Sequence, residues 1–380
     1  MIEEKKSQAP SLNPYKILVR GVNWLGDAVM SMPALQSLRE GMPEAHITLL
    51  THEKLADLWR NHSALDAVRT FSSGESPWHV GKKLRQENFQ LALALPNSHR
   101  SAIELWCGRI PRRIGYTRPW RSLFLTQTIL PRAGAIEMKK RRVSEIRKLV
   151  ARSPSWTTPP LEPAAHHIFQ YLHLVEALGV KAQPIAPQIT ISESELATFR
   201  TRIQAMSGSA TSLWFGLNPG AEYGPAKRWP TERFVAAALE LHQQTKCGWL
   251  IFGANDPATR EVAEALEKKI AGNAFVNLAG QTTLRELCVG LKFCKLVLTN
   301  DTGPMHVAAA VGTPVVVPFG STSAELTGPG LPGGDHHALL QAAVPCAPCF
   351  LRDCPIDFRC MRSIEVKTVV AACRGILKTL

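Results

Sequence analysis

No stretch of the 380-residue chain approaches the ~18 uninterrupted apolar residues that a membrane-crossing helix needs. The most apolar run, residues 307–319, is broken by Gly312 and Pro314, so the chain is not expected to span a bilayer. The first 14 residues, MIEEKKSQAPSLNP, lack the apolar core of a signal peptide and read as a frayed tail on a cytoplasmic protein. No G-x-G-x-x-G follows the first strand-like run and no G-x-x-x-x-G-K-[ST] occurs, which argues against a standard dinucleotide dehydrogenase and a P-loop NTPase. H-E-x-x-H and G-x-S-x-G are missing as well. Acidic residues are in short supply: 31 Asp and Glu against 44 Lys and Arg leave a net charge of +13, which draws the molecule to polyanions or anionic surfaces. The basic residues lack the interleaved aromatics of a single-strand platform, and no nucleic-acid reader motif is present. What remains, 45% hydrophobic and 20% charged residues, is the composition of a soluble globular protein long enough for two domains.

Strand-like and helix-like segments alternate. Residues 16–20 (KILVR) are a short apolar run, and residues 28–39 then carry apolar side chains at helical spacing before Gly41. HITLLTH (46–52) and QLALAL (90–95) continue as strands, the second stopped by Pro96 and Asn97. A helix over 166–178 closes a first domain, with 184–190 as linker. The second half repeats the alternation, with strands at 213–220, 248–253, 295–301 and 314–320. Helices at 231–244, with Thr231 as capping candidate, at 256–270 and at 302–312 lie between them. The pattern predicts an α/β protein of two domains with parallel sheets, and a ligand cleft at the carboxyl ends of the strands.

Between Gly108 and Lys148 the chain turns strongly basic, and residues 152–163 (RSPSWTTPPLEP) read as an exposed loop. Of nine cysteines, Cys107, Cys247, Cys288, Cys294 and Cys373 are scattered and read as small buried hydrophobes. Cys346, Cys349, Cys354 and Cys360 form C-x2-C-x4-C-x5-C. That spacing is compatible with a tetrahedral metal site, a redox-sensitive bridge or reduced, packed thiols, and it departs from the paired knuckles of most structural zinc sites. His166 and His167 at a helix start read as a surface pair rather than as metal ligands.

Three turns carry chemistry. In Asp301-Thr302-Gly303-Pro304-Met305-His306 a strand passes straight into a helix. Such a turn offers a diphosphate free N–H groups and a positive dipole end, and the plain alternative is an ordinary turn capped by Asp301 or Thr302. The loop 218–230 (NPGAEYGPAKRWP) is dense in Gly, Pro and aromatics, and Lys227 is its candidate cation for leaving-group phosphates. In the turn 21–27 (GVNWLGD), Asp27 is either the helix N-cap or a carboxylate that takes a proton from an attacking hydroxyl as the new bond forms. Asn255, Asp256 and Glu261 are candidates for adenine and ribose contacts.

The segments NWLGDAVMSMPALQSLR, LALPNSHRSAIELWCGRIPRRIGYTRPWR, GLNPGAEYGPAKRWP, NLAGQTTL and LTNDTGPMHVAAAVGTPVVVPFGSTS resemble the ADP-heptose:lipopolysaccharide heptosyltransferases of glycosyltransferase family 9. PGAEYGPAKRWP is the most specific of them, and LPNSHRSA inclines the resemblance toward the second transferase of the series. The resemblance implies a GT-B fold of two Rossmann-like domains whose parallel sheets face a central cleft. Residues 1–14 would be a tail, 15–185 an acceptor domain, and 186–362 an ADP-sugar domain with a Cys-rich loop at 345–362. The last helix, 363–380, would cross back to the first domain. The implied reaction is an inverting transfer of heptose from ADP-heptose to the inner heptose of the Kdo-lipid A core. Asp27 would be the base and Lys227 the phosphate-stabilising cation, with Gly220, Glu222, Asp301, Thr302, Gly303, Met305 and His306 on the donor. Asn97, Ser98, Arg118, Arg121, Lys139 and Lys140 are the acceptor candidates. No metal is required, with loosely bound Mg²⁺ as an aid. The partners would be ADP-heptose, Kdo-lipid A carrying one heptose, and the inner leaflet of the inner membrane, with no nucleic acid, so the enzyme would be cytoplasmic and peripheral. Pro304 departs from the family's usual aliphatic and removes one N–H from the diphosphate turn. The alternatives are a first or third heptosyltransferase or a related family 9 enzyme with another acceptor, a sugar-nucleotide sensor without turnover and, more distantly, a basic nucleic-acid-binding α/β protein.

Overall fold

The computed structural model describes residues 15–152, 161–208, 211, 213–270, 274–334 and 336–379. The expected N-terminal tail and most of the 152–163 loop lie outside them. Among the described residues, twelve strands form two six-stranded sheets. The first holds β1 (Lys16–Arg20), β2 (His46–His52), β3 (Ala67–Phe71), β4 (Leu91–Ala94), β5 (Arg112–Tyr116) and β6 (Gln127–Ile129) in the order 3-2-1-4-5-6. The second holds β7 (Trp214–Asn218), β8 (Gly248–Ile251), β9 (Phe275–Asn277), β10 (Leu296–Thr299), β11 (Val315–Phe319) and β12 (Ala338–Gln341) in the order 12-11-10-7-8-9. Every pairing is parallel, with Ile17 opposite both Ile47 and Leu91 in one sheet, and Val297 opposite both Val315 and Gly216 in the other. Central strands such as VVVPF (β11) are buried along their whole length, because helices cover both faces of a parallel sheet. Strand order reverses between β1 and β4 and between β7 and β10, and the loops leaving β1, β7 and β10 therefore converge on crevices.

Several expected elements differ in detail. The helix read at 28–39 is two, Leu25–Met30 and Met32–Gly41, broken at Ser31 because Pro33 lacks an N–H and fits only the first turn of a new helix. Thr231 is not a cap: Pro230 holds that position and the Thr231 hydroxyl donates to Glu261 at 2.7 Å. Asp256 caps the Pro257–Glu267 helix through the N–H groups of Ala258 and Thr259, so Asp256 and Glu261 are spent on structure rather than turned to a nucleotide. The last helix, Val366–Leu377, does not cross back. It lies on β10, β11, β12 and the Thr231–Thr245 helix, because Val369, Val370 and Cys373 complete the apolar core around Trp229 and Trp249.

The domains meet through several contacts, one of them the packing of residues 53–59 on the Leu284–Phe293 helix. The Leu25–Met30 helix packs on the Gly303–Ala310 helix at a distance only glycine permits. A Cβ on Gly26 would lie 2.7 Å from the His306 ring and one on Gly303 would lie 2.8 Å from Leu25. The segment around residue 166 docks on the Ala324–Thr327 helix: His167 N–H donates to Leu326 O at 2.8 Å and His166 Nε2 to Gly328 O at 3.0 Å. The Val143–Arg152 helix, from the basic stretch, reaches the Cys-rich loop, where Ile146 packs with Cys346 and Cys349 and Arg141 N–H donates to Cys349 O. Part of the positive charge thus sits on the second domain's loop.

His166 is buried rather than a surface residue. Its Nδ1 accepts from Ile168 N–H while Nε2 donates, which specifies the neutral ring. Burial holds His166 at about 4 and His306 at about 3, below the ordinary value of about 6.5. The unfolded chain therefore binds more protons than the folded one once pH drops below about 6.5, and the stability present above that pH is lost as pH falls toward the folded values. At pH 5 the loss should be about 2 kcal/mol for each histidine, read as a lower melting temperature at pH 5 than at pH 7.5. His166→Gln should blunt that difference.

Candidate functional site

The loops leaving β1, β7 and β10 enclose a cleft of about 400 Å³ between the domains. Asp27 enters from the first domain. It sits in the first turn of its helix, whose N-cap is Trp24, so Asp27 is not the cap and its carboxylate is available to the cleft. The turn before it is braced by Arg20, fully buried, whose Nε meets Glu104 at 2.7 Å and whose Nη1 reaches Asn23 at 3.0 Å. The Tyr171 hydroxyl is near enough to favour the charged form of the Asp27 carboxylate, and His167 Nε2 lies 3.9 Å from Asp27 Oδ1 and 3.1 Å from the Tyr171 oxygen. Burial raises the Asp27 carboxyl above the usual range, against the pull of His167, Lys227 and Tyr171. The result is a carboxylate of enhanced basicity with 31% of its side-chain surface open.

The second domain supplies the opposite charge. Lys227 Nζ lies 2.7 Å from Asp301 Oδ2, with Asp301 buried and Lys227 half-buried, at 3% and 14% exposure. The same Asp301 oxygen accepts from the Thr322 hydroxyl, and Lys227 stands over the Tyr223 ring. The loop carrying Lys227 is pinned at both ends. Asn300 accepts from Trp229 N–H and donates to Pro219 O, while Ala226 N–H donates to Arg352 O and Tyr223 OH to Phe350 O. The Cys-rich loop is therefore the seat of the Lys227 loop, and it adds Phe350 and Arg352 to the cleft wall. At the start of the Gly303–Ala310 helix, Thr302 is the N-cap residue by position, but its hydroxyl makes no capping bond. That hydroxyl and the Gly303 backbone face the cleft. A half-buried cation beside a helix N-terminus is a site for a phosphorylated ligand, and a basic carboxylate across the same cleft adds a proton acceptor.

Known proteins match this chain and its fold. The model of glycosyltransferase family 9 (heptosyltransferase) matches residues 78–358. The chain belongs to glycosyltransferase family 9. The enzyme is 29% identical over 323 residues to lipopolysaccharide heptosyltransferase 2 of Salmonella typhimurium, covering 83% of this chain and 85% of that one. It is 26% identical over 366 residues to lipooligosaccharide heptosyltransferase 2 of Campylobacter jejuni, covering 96% and 98%. Its fold superposes on E. coli ADP-heptose lipopolysaccharide heptosyltransferase II with a TM-score of 0.74 at 24% identity, covering 96% of this chain and 99% of that one. The family 9 glycosyltransferase of Veillonella parvula gives 0.76 at 21%, covering 98% and 99%. The two parallel sheets are thus the GT-B arrangement of this glycosyltransferase.

Within the enzyme, Asp27, Lys227, Glu222, Asp301, Thr302, Gly303, His306 and Lys140 line one cleft. Other expected contacts fall elsewhere. Gly220 packs against Asp256, where a Cβ would lie 2.6 Å from the carboxylate, so its role is close packing. Met305 is buried in the core and its N–H is taken by Thr302 O at 3.0 Å; with Pro304 also unable to donate, the turn has fewer phosphate donors than a full helix start. Glu222 pairs with Lys54 across the cleft mouth at 3.8 Å. Arg121 is fully buried and its guanidinium donates to the carbonyls of Tyr116, Pro96 and Ser98, so it is a staple and not an acceptor ligand. Lys139 is paired with Glu137. Asn97, Ser98 and Arg118 stay exposed at the carboxyl ends of β4 and β5, with Ser98 capping the His99–Cys107 helix.

Sequence reasoning missed Tyr171, His167, Tyr223, Thr322, Phe350 and Arg352. The i, i+4 spacing of His167 and Tyr171 was the one available signal, since it puts both on a single helix face. The four clustered cysteines line a small hollow with Ile146 and Ile356, and burial raises the Cys360 thiol to about 12. Among the described residues no group of three or more His, Cys, Asp or Glu is arranged to hold a metal ion, and the thiols pack as apolar groups.

Proposed function

We propose that the enzyme transfers heptose, with inversion, from ADP-heptose to the heptose of a Kdo-lipid A core. The observation that carries this reading is the placement of a basic carboxylate, Asp27, across one cleft from the Lys227–Asp301 pair. The names of the relatives, heptosyltransferase 2 in both bacteria quoted above, support the donor and the step. In the proposed reaction the acceptor hydroxyl attacks the anomeric carbon from the face opposite ADP while Asp27 takes its proton. The bond to the diphosphate oxygen breaks with its electron pair, and the negative charge that develops on ADP meets Lys227, Arg352 and the Gly303 end of the helix. Each developing charge has a protein group facing it. An acceptor that is a phosphorylated lipid places the work at the cytoplasmic face of the inner membrane. Among the described residues no helix is long and apolar enough to cross a membrane, in keeping with a peripheral mode.

Transfer assays on truncated cores carrying no heptose or one heptose test the step: only the heptose-bearing acceptor should react, and a preference for UDP- or GDP-sugars over ADP-heptose refutes the donor. Tyr171→Phe tests the base. Removing the hydroxyl that favours the charged carboxylate should raise the Asp27 pKa further, so the acid limb of kcat/KM moves to higher pH while the plateau changes little. An unmoved limb refutes the coupling.

A further inference from the structure

The loop after β5 holds two apolar side chains out in water. Trp120 is 77% exposed and Leu123 73%, and beside them Trp106, 49% exposed at the end of the His99–Cys107 helix, meets the Phe124 ring edge-on at 5.7 Å. The loop is not loose. Buried Arg121 ties it to three backbone carbonyls, and Pro119 O lies 3.1 Å from His99 Nε2. Between these anchors Trp120 is turned outward with φ at 59°, a region that bulky residues rarely occupy. A strained, well-anchored loop that presents an indole to solvent has no explanation in the packing of the domain.

The charge around it is one-sided. From residue 99 to residue 136 the sole acidic residue is Glu104, which is buried against Arg20 and Arg100. Arg109, Arg112 and Arg118 are exposed, and among the described residues none of them has a carboxylate partner. An exposed indole and leucine on a segment whose exposed guanidinium groups lack carboxylate partners suit the boundary between headgroups and acyl chains of an anionic bilayer. The position suits it as well. Arg118 and Trp120 follow the carboxyl end of β5, on the edge of the sheet that bears Asn97 and the Asp27 turn, and from there the loop runs back along the His99–Cys107 helix toward the amino end, where Arg109 and Arg112 lie, so the face extends down the side of the domain from the cleft edge.

We infer that Trp120, Leu123 and Trp106, with the Arg118 guanidinium, form a membrane-docking face for anionic lipid that presents the acceptor to Asp27. The inference rests on the reading of the acceptor as lipid-linked. Sedimentation with phosphatidylcholine vesicles, with and without phosphatidylglycerol, tests it. The wild-type enzyme should bind the anionic vesicles, and the double variant Trp120→Ser/Leu123→Ser should partition about tenfold more weakly. The double variant should keep its melting temperature and its turnover on an acyl-free, water-soluble heptose acceptor, while turnover on acceptor embedded in anionic vesicles falls. A double variant that sediments like the wild type, or a wild type that ignores anionic vesicles, overturns the inference. A change in oligomeric state without a change in vesicle binding assigns the face to self-association instead, and salt-sensitive RNA binding that displaces the vesicles assigns it to nucleic acid. Vesicle binding without transfer to any heptose acceptor leaves the docking face standing and refutes the acceptor reading.

Discussion

Asp27→Asn should lower kcat on the order of 10³-fold while leaving the ADP-heptose dissociation constant within about twofold of wild type. Asparagine keeps the shape of the side chain and an accepting oxygen, so the cleft stays folded around it. What it loses is the negative charge and the basicity needed to take the acceptor proton. The donor's diphosphate sits across the cleft near Lys227 and Gly303 in the proposed scheme, which is why binding and chemistry should separate at this position. Calorimetric titration of ADP-heptose alongside steady-state turnover measures both quantities. Turnover above about a tenth of wild type would remove Asp27 from the role of base.

Lys227→Met should weaken ADP-heptose binding and lower kcat on the order of 10²-fold or more, and it should also destabilise the protein. Asp301 is 3% exposed and holds Lys227 at 2.7 Å, and removing one member of a buried pair costs about 3–5 kcal/mol because the other charge is left without a partner. These two losses have different origins and a second substitution separates them. Adding Asp301→Asn removes the stranded charge, so the double variant should regain most of the melting temperature and none of the turnover. Recovery of both would mean that Lys227 serves only to neutralise Asp301. A single variant with wild-type turnover would exclude the cation from phosphate stabilisation.

Three of the site residues legible in the chain, Asp27, Lys227 and Asp301, share a property. Each lies just after an apolar strand, in a turn whose Gly and Pro content marks it as a loop, so local pattern was enough to find them. The strands were legible for the same kind of reason: Ile17, Leu18 and Val19 in β1 and the valines of β11 are buried on both faces, and that burial writes a continuous apolar run. Arg121 shows where local pattern misleads. Its place in the basic stretch made it read as an acceptor-binding candidate, yet three backbone carbonyls brought together by β4, β5 and their loops turned it inward.

Composition, apolar period and turn chemistry were sufficient for two parallel α/β domains, for the absence of a membrane-crossing run, and for the three turns that carry the charged groups. All of these follow from interactions among residues close in sequence. The partners of Asp27 were not readable in this way, because Tyr171 and His167 arrive on a helix from a distant part of the chain. Nor was the seat of Lys227 on the Cys-rich loop, or the docking of the last helix on the second domain. Each depends on which apolar faces find one another when the two sheets are assembled, and burial, with the pKa shifts and ion pairs that follow from it, exists only once they have.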